Sequence, residues 1–238
     1  MQLFLQISKH YYSNFFIAMN HLIFITHITV ISAFTLLFGS YGKSALVSYV
    51  SLLFVLANMF VIKEINMLNF VVTTTDAYII GISFGINIIQ EIWGKRSAQK
   101  TIFISFGCSL LYLIMGYFQI WYIPAAHDIS HVHFDYLMNH SLRIITASFI
   151  SYLTVQYADT IMYGYLKQKT DGKYFIIRNY ISMLSSQLFD TILFSFLGLY
   201  GIVHNIGHII LVSYCVKIMG IALTTPFMLV AKKFIKKS

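Results

Sequence analysis

The sequence predicts an all-α protein, a polytopic transmembrane bundle of about seven helices. Of the 238 residues, 58% are hydrophobic and only 10% are charged, and the mean hydropathy is +0.74. A soluble domain needs more charge than this on its surface. Apolar runs of about 20 residues can cross the ~30 Å hydrocarbon core as helices. The runs do not alternate in polarity, which excludes the strands of a membrane barrel.

Seven apolar runs divide the chain, and we treat residues 1–238 as a single integral membrane domain. The predicted spans cover about residues 14–38, 44–62, 77–93, 98–122, 141–165, 176–200 and 206–230. A run of helix-capping residues, 73–76, precedes the third span. A polar connection that contains several histidines, 124–140, separates the fourth span from the fifth.

Lysine and arginine predict the orientation of the chain. They cluster beside three spans, at 95–100, 167–178 and 232–237, whereas the connections 123–140 and 201–205 contain none. Because cytoplasmic loops are enriched in these residues, we expect the C-terminus on the cytoplasmic side of a bacterial inner membrane. The net charge of +8 therefore reflects membrane orientation and not a surface for nucleic acid.

Two spans carry the same polar motif. Gln156-Tyr-Ala-Asp159-Thr-Ile in the fifth span recurs as Gln187-Leu-Phe-Asp190-Thr-Ile in the sixth. A carboxylate at membrane depth costs about 2.5–3.5 kcal/mol on insertion scales, so it normally has a partner or a function. Consecutive spans are antiparallel, which predicts that Gln156 meets Asp190 and that Asp159 meets Gln187. Polar side chains can also simply hold helices together.

Four further polar residues lie in predicted spans. Asn58 is isolated in the second span, and Asn87 and Glu91 share a face of the third. Glu91 is a candidate ligand, although it could instead extend to the interface beside Lys95. Lys217, about half-way along the seventh span, needs an acid such as Asp159, Asp190 or Glu91 nearby.

Two other patterns carry less weight. Gly81-Ile-Ser83-Phe-Gly85 matches a serine-hydrolase motif, but that motif needs a strand-to-helix turn, so the glycines are interpreted as a helix-packing face. Histidines of the predicted outer side include His204 and His208, four residues apart as metal ligands on a helix would be. We assign no metal or cofactor to them, and a membrane metalloenzyme remains only an alternative hypothesis.

Several ordered motifs resemble the queuosine precursor transporters, also classed as vitamin-uptake proteins. They are Asp76-Ala-Tyr, Asn87-Ile-Ile-Gln-Glu91-Ile-Trp-Gly-Lys95, Arg143-Ile-Ile-Thr, the two Gln-x-x-Asp motifs and Tyr214-Cys-Val-Lys217 followed by Pro226. The resemblance covers about residues 45–232 and implies a six-helix core preceded by an additional helix at 14–38. Many members carry aspartate where this chain has Asn87.

The resemblance implies a transporter and not an enzyme. It implies import of a 7-deazaguanine (preQ0, preQ1 or queuine), a purine-like small molecule, for tRNA modification, with the lipid bilayer as partner and a homo-oligomer left open. The expected site residues are Asn58, Asn87, Glu91, Gln156, Asp159, Gln187, Asp190 and Lys217. The alternative is a substrate-binding membrane subunit of a vitamin importer that needs a separate ATPase.

Overall fold

The computed structural model describes residues 2–67, 70–139, 142–201 and 206–235. Within those ranges the chain forms nine α-helices and one β-hairpin. In order, they are α1 (Gln2–Ser40), α2 (Lys43–Met59), β1 (Glu64–Met67), β2 (Phe70–Thr73), α3 (Thr75–Trp93), α4 (Lys95–Trp121), α5 (His131–Asn139), α6 (Leu142–Lys169), α7 (Phe175–Phe194), α8 (Ile206–Leu223) and α9 (Thr225–Phe234). A π-helical segment, Ser195–Leu199, continues α7.

Four helical segments of the described chain are long and apolar enough to cross a membrane. They are Met19–Ser40, Lys95–Trp121, Phe175–Leu199 and Ile206–Leu223, and the apolar helix α2 is shorter. The chain is therefore a multi-pass helical membrane protein, as the composition indicates. The number of seven spans stays a prediction, because α3 and α6 carry many of the polar residues and do not meet the same criterion.

Helix α3 is the centre of the bundle. It packs against α1, α2, α4, α6, α7 and α8, and every residue from Ile80 to Gln90 is buried. Its polar residues Asp76, Ser83, Asn87 and Gln90 are buried as well. Spacings of seven, four and three residues place these four side chains on one face of a helix. Enclosure by other helices keeps that face away from lipid, which is how membrane proteins accommodate polar side chains.

The connection between α2 and α3 corrects the purely helical prediction. Strands β1 and β2 pair antiparallel, with Glu64 opposite Thr73 and Met67 opposite Phe70. Helix α2 consequently ends at Met59, before the predicted end of its span at 62. The hairpin is held to α1, because Asn20 Nδ2 donates a hydrogen bond to the Asn66 carbonyl oxygen at 2.9 Å.

The predicted seventh span, 206–230, is wrong as a single helix. Helix α8 ends at Leu223, and α9 begins at Thr225 with Pro226 in its first turn. Proline has no N–H to donate and collides with the preceding turn, so it is tolerated in the first turn of a helix but not in its interior. Helix α9 packs against α1, with Ile235 against Gly39.

Close helix packing at glycines supports one side of α3. A Cβ at Gly81 would lie 2.2 Å from Ile31 Cγ2 and 3.3 Å from Leu53 Cδ1, and a Cβ at Gly85 would lie 2.7 Å from Val50 Cγ2. The interpretation of Gly81-x-Ser83-x-Gly85 as a packing motif agrees with these contacts. Small residues let helix backbones approach closely where lipid offers no hydrophobic driving force.

We expect Gly81→Ala to destabilise the protein by about 1–3 kcal/mol, because the nearby Ile31 methyl is attached directly to Cβ and cannot rotate away without disturbing its rotamer. The measurement is the unfolding midpoint of the purified protein in detergent. Gly107→Ala in α4 is the matched control, since a Cβ there meets no atom within 4 Å. Equal midpoints for the two variants would contradict this packing.

Candidate functional site: an acidic cavity above a buried amide cluster

A cavity of about 570 Å³ opens at one end of the bundle. It lies between the β-hairpin, the N-terminal halves of α3, α6 and α8, and the C-terminal end of α7. The walls include aromatic side chains, hydroxyls and charged groups, among them Glu64, Phe70, Thr75, Asp76, Tyr136, Tyr152, Asp190, Phe194, His208 and Lys217. The volume falls in the range of small-molecule sites, about 300–1,000 Å³.

An ion cluster forms the inner wall of this cavity. Lys217 Nζ donates to Asp190 Oδ2 at 2.7 Å and lies 3.6 Å from Asp76 Oδ1. The expectation that Lys217 needs an acid is met by Asp190, one of the three candidates. The second acid, Asp76, was interpreted from sequence as a helix-capping residue and as part of the family motif, but not as a site residue, and its side chain makes no capping hydrogen bond to α3 among the described contacts.

A buried amide cluster forms around Ser83 of α3. Gln156 Nε2 donates to Ser83 Oγ at 3.0 Å, and Gln187 Nε2 donates to the same oxygen at 2.9 Å. Ser182 Oγ of α7 donates to Asp159 Oδ1. The predicted pairing of Gln156 with Asp190 and of Gln187 with Asp159 is therefore wrong. Both glutamines contact α3 because that helix packs against α6 as well as α7.

Several atoms of this cluster have no hydrogen-bond partner within the described residues. They are both polar atoms of the Asn87 amide, the Oε1 atoms of Gln156 and Gln187, and Asp159 Oδ2. The four side chains are all at least 98% buried. Buried polar atoms normally find partners, because leaving one unsatisfied costs about 1–3 kcal/mol. The cluster thus retains both donors and acceptors for a polar molecule.

Glu91 belongs to a different group of side chains. Arg178 forms two hydrogen bonds to its carboxylate, at 3.0 and 3.1 Å. Lys167 Nζ lies 3.2 Å from Glu91 Oε2, and the Tyr163 hydroxyl donates to that oxygen at 3.0 Å. We name these four residues the Glu91 cluster; it joins α3, α6 and α7, and its cations already neutralise the carboxylate.

The expected site residues therefore separate into three places. Asp190 and Lys217 line the cavity, whereas Gln156 and Gln187 bond to Ser83. Asn87 lies one turn beyond Ser83 on α3, and Asp159 accepts from Ser182. Glu91 lies in its own ion cluster. Asn58 donates to the Phe54 carbonyl oxygen and to Ser109 Oγ, so it ties α2 to α4 and is not among the residues that line the cavity.

Along α3 these groups follow one another in order. Asp76 precedes Ser83 by seven residues, and Glu91 follows Ser83 by eight, which is about 10 Å and 12 Å at 1.5 Å per residue. The cavity opens at the Asp76 end. Lys167 and Arg178 lie toward the opposite ends of α6 and α7, and Lys95 follows the opposite end of α3. The one-sided polar spacing of α3 is the sequence signal that could have identified Asp76 and Ser83.

The histidines form no metal site within the described residues. No group of three or more His, Cys, Asp or Glu side chains could hold a metal ion there. His208 lines the cavity and packs against the Phe70 ring at 4.8 Å between centroids. His140 and His204 lie outside the described residues.

Comparison with known proteins identifies the family. Residues 77–231 match the model of the family described as "Putative vitamin uptake transporter", which is well over half of the chain. The chain belongs to this family. The resemblance to this family that the sequence motifs indicated is confirmed.

A relative in Bacillus subtilis (strain 168) carries the name "Probable queuosine precursor transporter". It is 25% identical over 204 residues, which cover 84% of this chain and 89% of the relative. No solved structure gives a significant match to the chain.

We expect Ser83→Ala to lower the unfolding midpoint, because two buried amides lose their shared acceptor at about 1–3 kcal/mol for each unsatisfied group. Ser32→Ala is the matched control. Ser32 is equally buried, and its hydroxyl has no hydrogen-bond partner among the described residues. The assignment of Ser83 as a hub is wrong if the two variants unfold at the same midpoint.

We expect Glu91→Leu to destabilise the protein by about 3–5 kcal/mol, because it leaves the 1%-exposed Arg178 guanidinium without its carboxylate. The double variant Glu91→Leu/Arg178→Leu should be more stable than Glu91→Leu alone, since no buried charge is then left unpaired. Detergent unfolding of both variants measures this. A double variant less stable than the single one would contradict the pairing.

Proposed function

We propose that this chain is a bacterial inner-membrane carrier that imports a queuosine precursor, a 7-deazaguanine, for tRNA modification. Membership of the family and the name of the Bacillus subtilis relative support this class of substrate. The observation that carries the proposal is the cavity of about 570 Å³ with aromatic walls, together with the buried amide cluster at Ser83, seven residues beyond Asp76 along α3.

The chemistry of these groups suits a guanine-like face. Such a face presents ring N–H and amino donors beside a carbonyl acceptor. The carboxylates of Asp190 and Asp159 and the free Oε1 atoms of Gln156 and Gln187 can accept from the donors, while Lys217 and the Asn87 amide can donate to a carbonyl. The rings of Phe70, Tyr136 and Phe194 offer stacking surfaces within the cavity.

We propose different roles for the two remaining residues of the expected set. Glu91 closes the end of the bundle opposite the cavity through Arg178, and Asn58 holds two helices together. With the lysine-rich ends in the cytoplasm, the cavity faces outward. Import then requires the Glu91 cluster to separate as the cavity closes, an exchange of accessibility around a central site as described for secondary transporters.

The proposed function predicts that cells unable to make the precursor regain tRNA queuosine when they express this protein and receive the base. Asp159→Asn and Asp190→Asn should each reduce uptake at least about tenfold, which corresponds to ~1.4 kcal/mol of lost interaction. Asp171→Asn is the matched control, because Asp171 is exposed in the α6–α7 turn and asparagine tolerates its positive φ of 47°.

Normal uptake by both site variants at equal membrane levels would overturn the assignment of these carboxylates. Reconstitution of the purified protein alone into vesicles tests whether transport needs a separate energising partner. Uptake into such vesicles supports a self-sufficient carrier. Uptake that needs an added ATPase module supports the alternative of a substrate-binding subunit.

A further inference from the structure

We propose that Asp76 binds a cationic amine of the substrate, so that this carrier prefers amine-bearing 7-deazaguanines to neutral ones. The inference rests on the proposed function and deepens it, because it assigns the charge of the substrate and the residue that recognises it. Asp76 was not among the residues expected from the Gln-x-x-Asp repeat.

The first observation is the charge of the cavity. The chain has 16 Lys and Arg but only 8 Asp and Glu, for a net charge of +8. Among the described residues that line the cavity, acidic residues instead outnumber Lys and Arg. Glu64, Asp76 and Asp190 are present with Lys217 as the only Lys or Arg, and His208 is counted as neutral. The formal charge of this set is −3 + 1 = −2, which favours a cationic ligand.

The second observation is that Asp76 is incompletely paired. Lys217 Nζ lies 2.7 Å from Asp190 but 3.6 Å from Asp76, so the ammonium belongs mainly to Asp190. The side chain of Asp76 is only 9% exposed, and its Oδ2 has no hydrogen-bond partner within the described residues. A carboxylate removed from water is costly unless it is paired and hydrogen-bonded. One ammonium cannot balance two such carboxylates, and a second cation would.

The third observation is a second unpartnered polar group on the cavity wall. The hydroxyl of Thr75, the neighbouring residue, also lines the cavity and also lacks a partner among the described residues. An ammonium carries up to three N–H donors, which can be shared between a carboxylate and a hydroxyl oxygen. Phe194 on the cavity wall can pack against a planar base while its amine reaches Asp76.

The test compares uptake of two labelled bases by the full-length protein in reconstituted vesicles. One base carries an aminomethyl group (preQ1), and the other carries an uncharged nitrile (preQ0). For the unmodified chain we expect the amine-bearing base to be favoured at least tenfold in kcat/KM. Asp76→Asn should reduce this ratio at least tenfold, whereas Asp171→Asn, in the exposed α6–α7 turn outside the cavity lining, should change it less than twofold.

Equal use of the two bases, or an unchanged ratio in Asp76→Asn, would overturn the assignment of Asp76 and leave the proposed carrier function standing. Uptake of neither base by the unmodified protein would overturn both. A second readout needs no variant. The unfolding midpoint of the purified protein should rise more with the amine-bearing base than with the nitrile at equal concentration, and equal shifts would also overturn the proposal.

Discussion

The burial of a polar helix face within an apolar bundle is the constraint on which the rest of this structure depends. Helix α3 places Asp76, Ser83, Asn87 and Gln90 on one face, and six surrounding helices separate them from lipid. Each polar atom then needs a partner from a neighbouring helix, because the hydrocarbon core supplies none. The residues that pair with the polar face of α3 include Lys217 from α8, Gln156 from α6 and Gln187 from α7.

The sequence predicted the class of protein and many of the buried polar residues, but not which residues they contact. The Gln-x-x-Asp repeat correctly identified buried polar residues on two helices, and charge balance correctly required an acid near Lys217. Neither could show that α3 lies against both helices, because adjacency in a bundle does not follow from chain order. Ser83 was consequently interpreted only as part of a glycine packing motif, although it accepts hydrogen bonds from both glutamines.

The other differences have separate physical causes. Glu91 lies four residues from Lys95 but pairs with Arg178, 87 residues away, and local spacing cannot predict a contact between distant segments. The β-hairpin has only four residues in each strand, too few for a clear alternating pattern. The end of α8 was predictable in principle, because Pro226 cannot occupy the interior of a helix.

The contacts on the two sides of α3 differ in how easily other groups can replace them. At Gly81 and Gly85 the helix meets α1 and α2 through methyl groups in direct contact, and nothing else can replace those neighbours without opening a void. Toward α6 and α7 it is held by hydrogen bonds and ion pairs, whose donors and acceptors water or a bound base can take over. The glycine contacts therefore tie α3 to α1 and α2, whereas water or a bound polar molecule can take over individual hydrogen bonds between α3 and the pair α6 and α7.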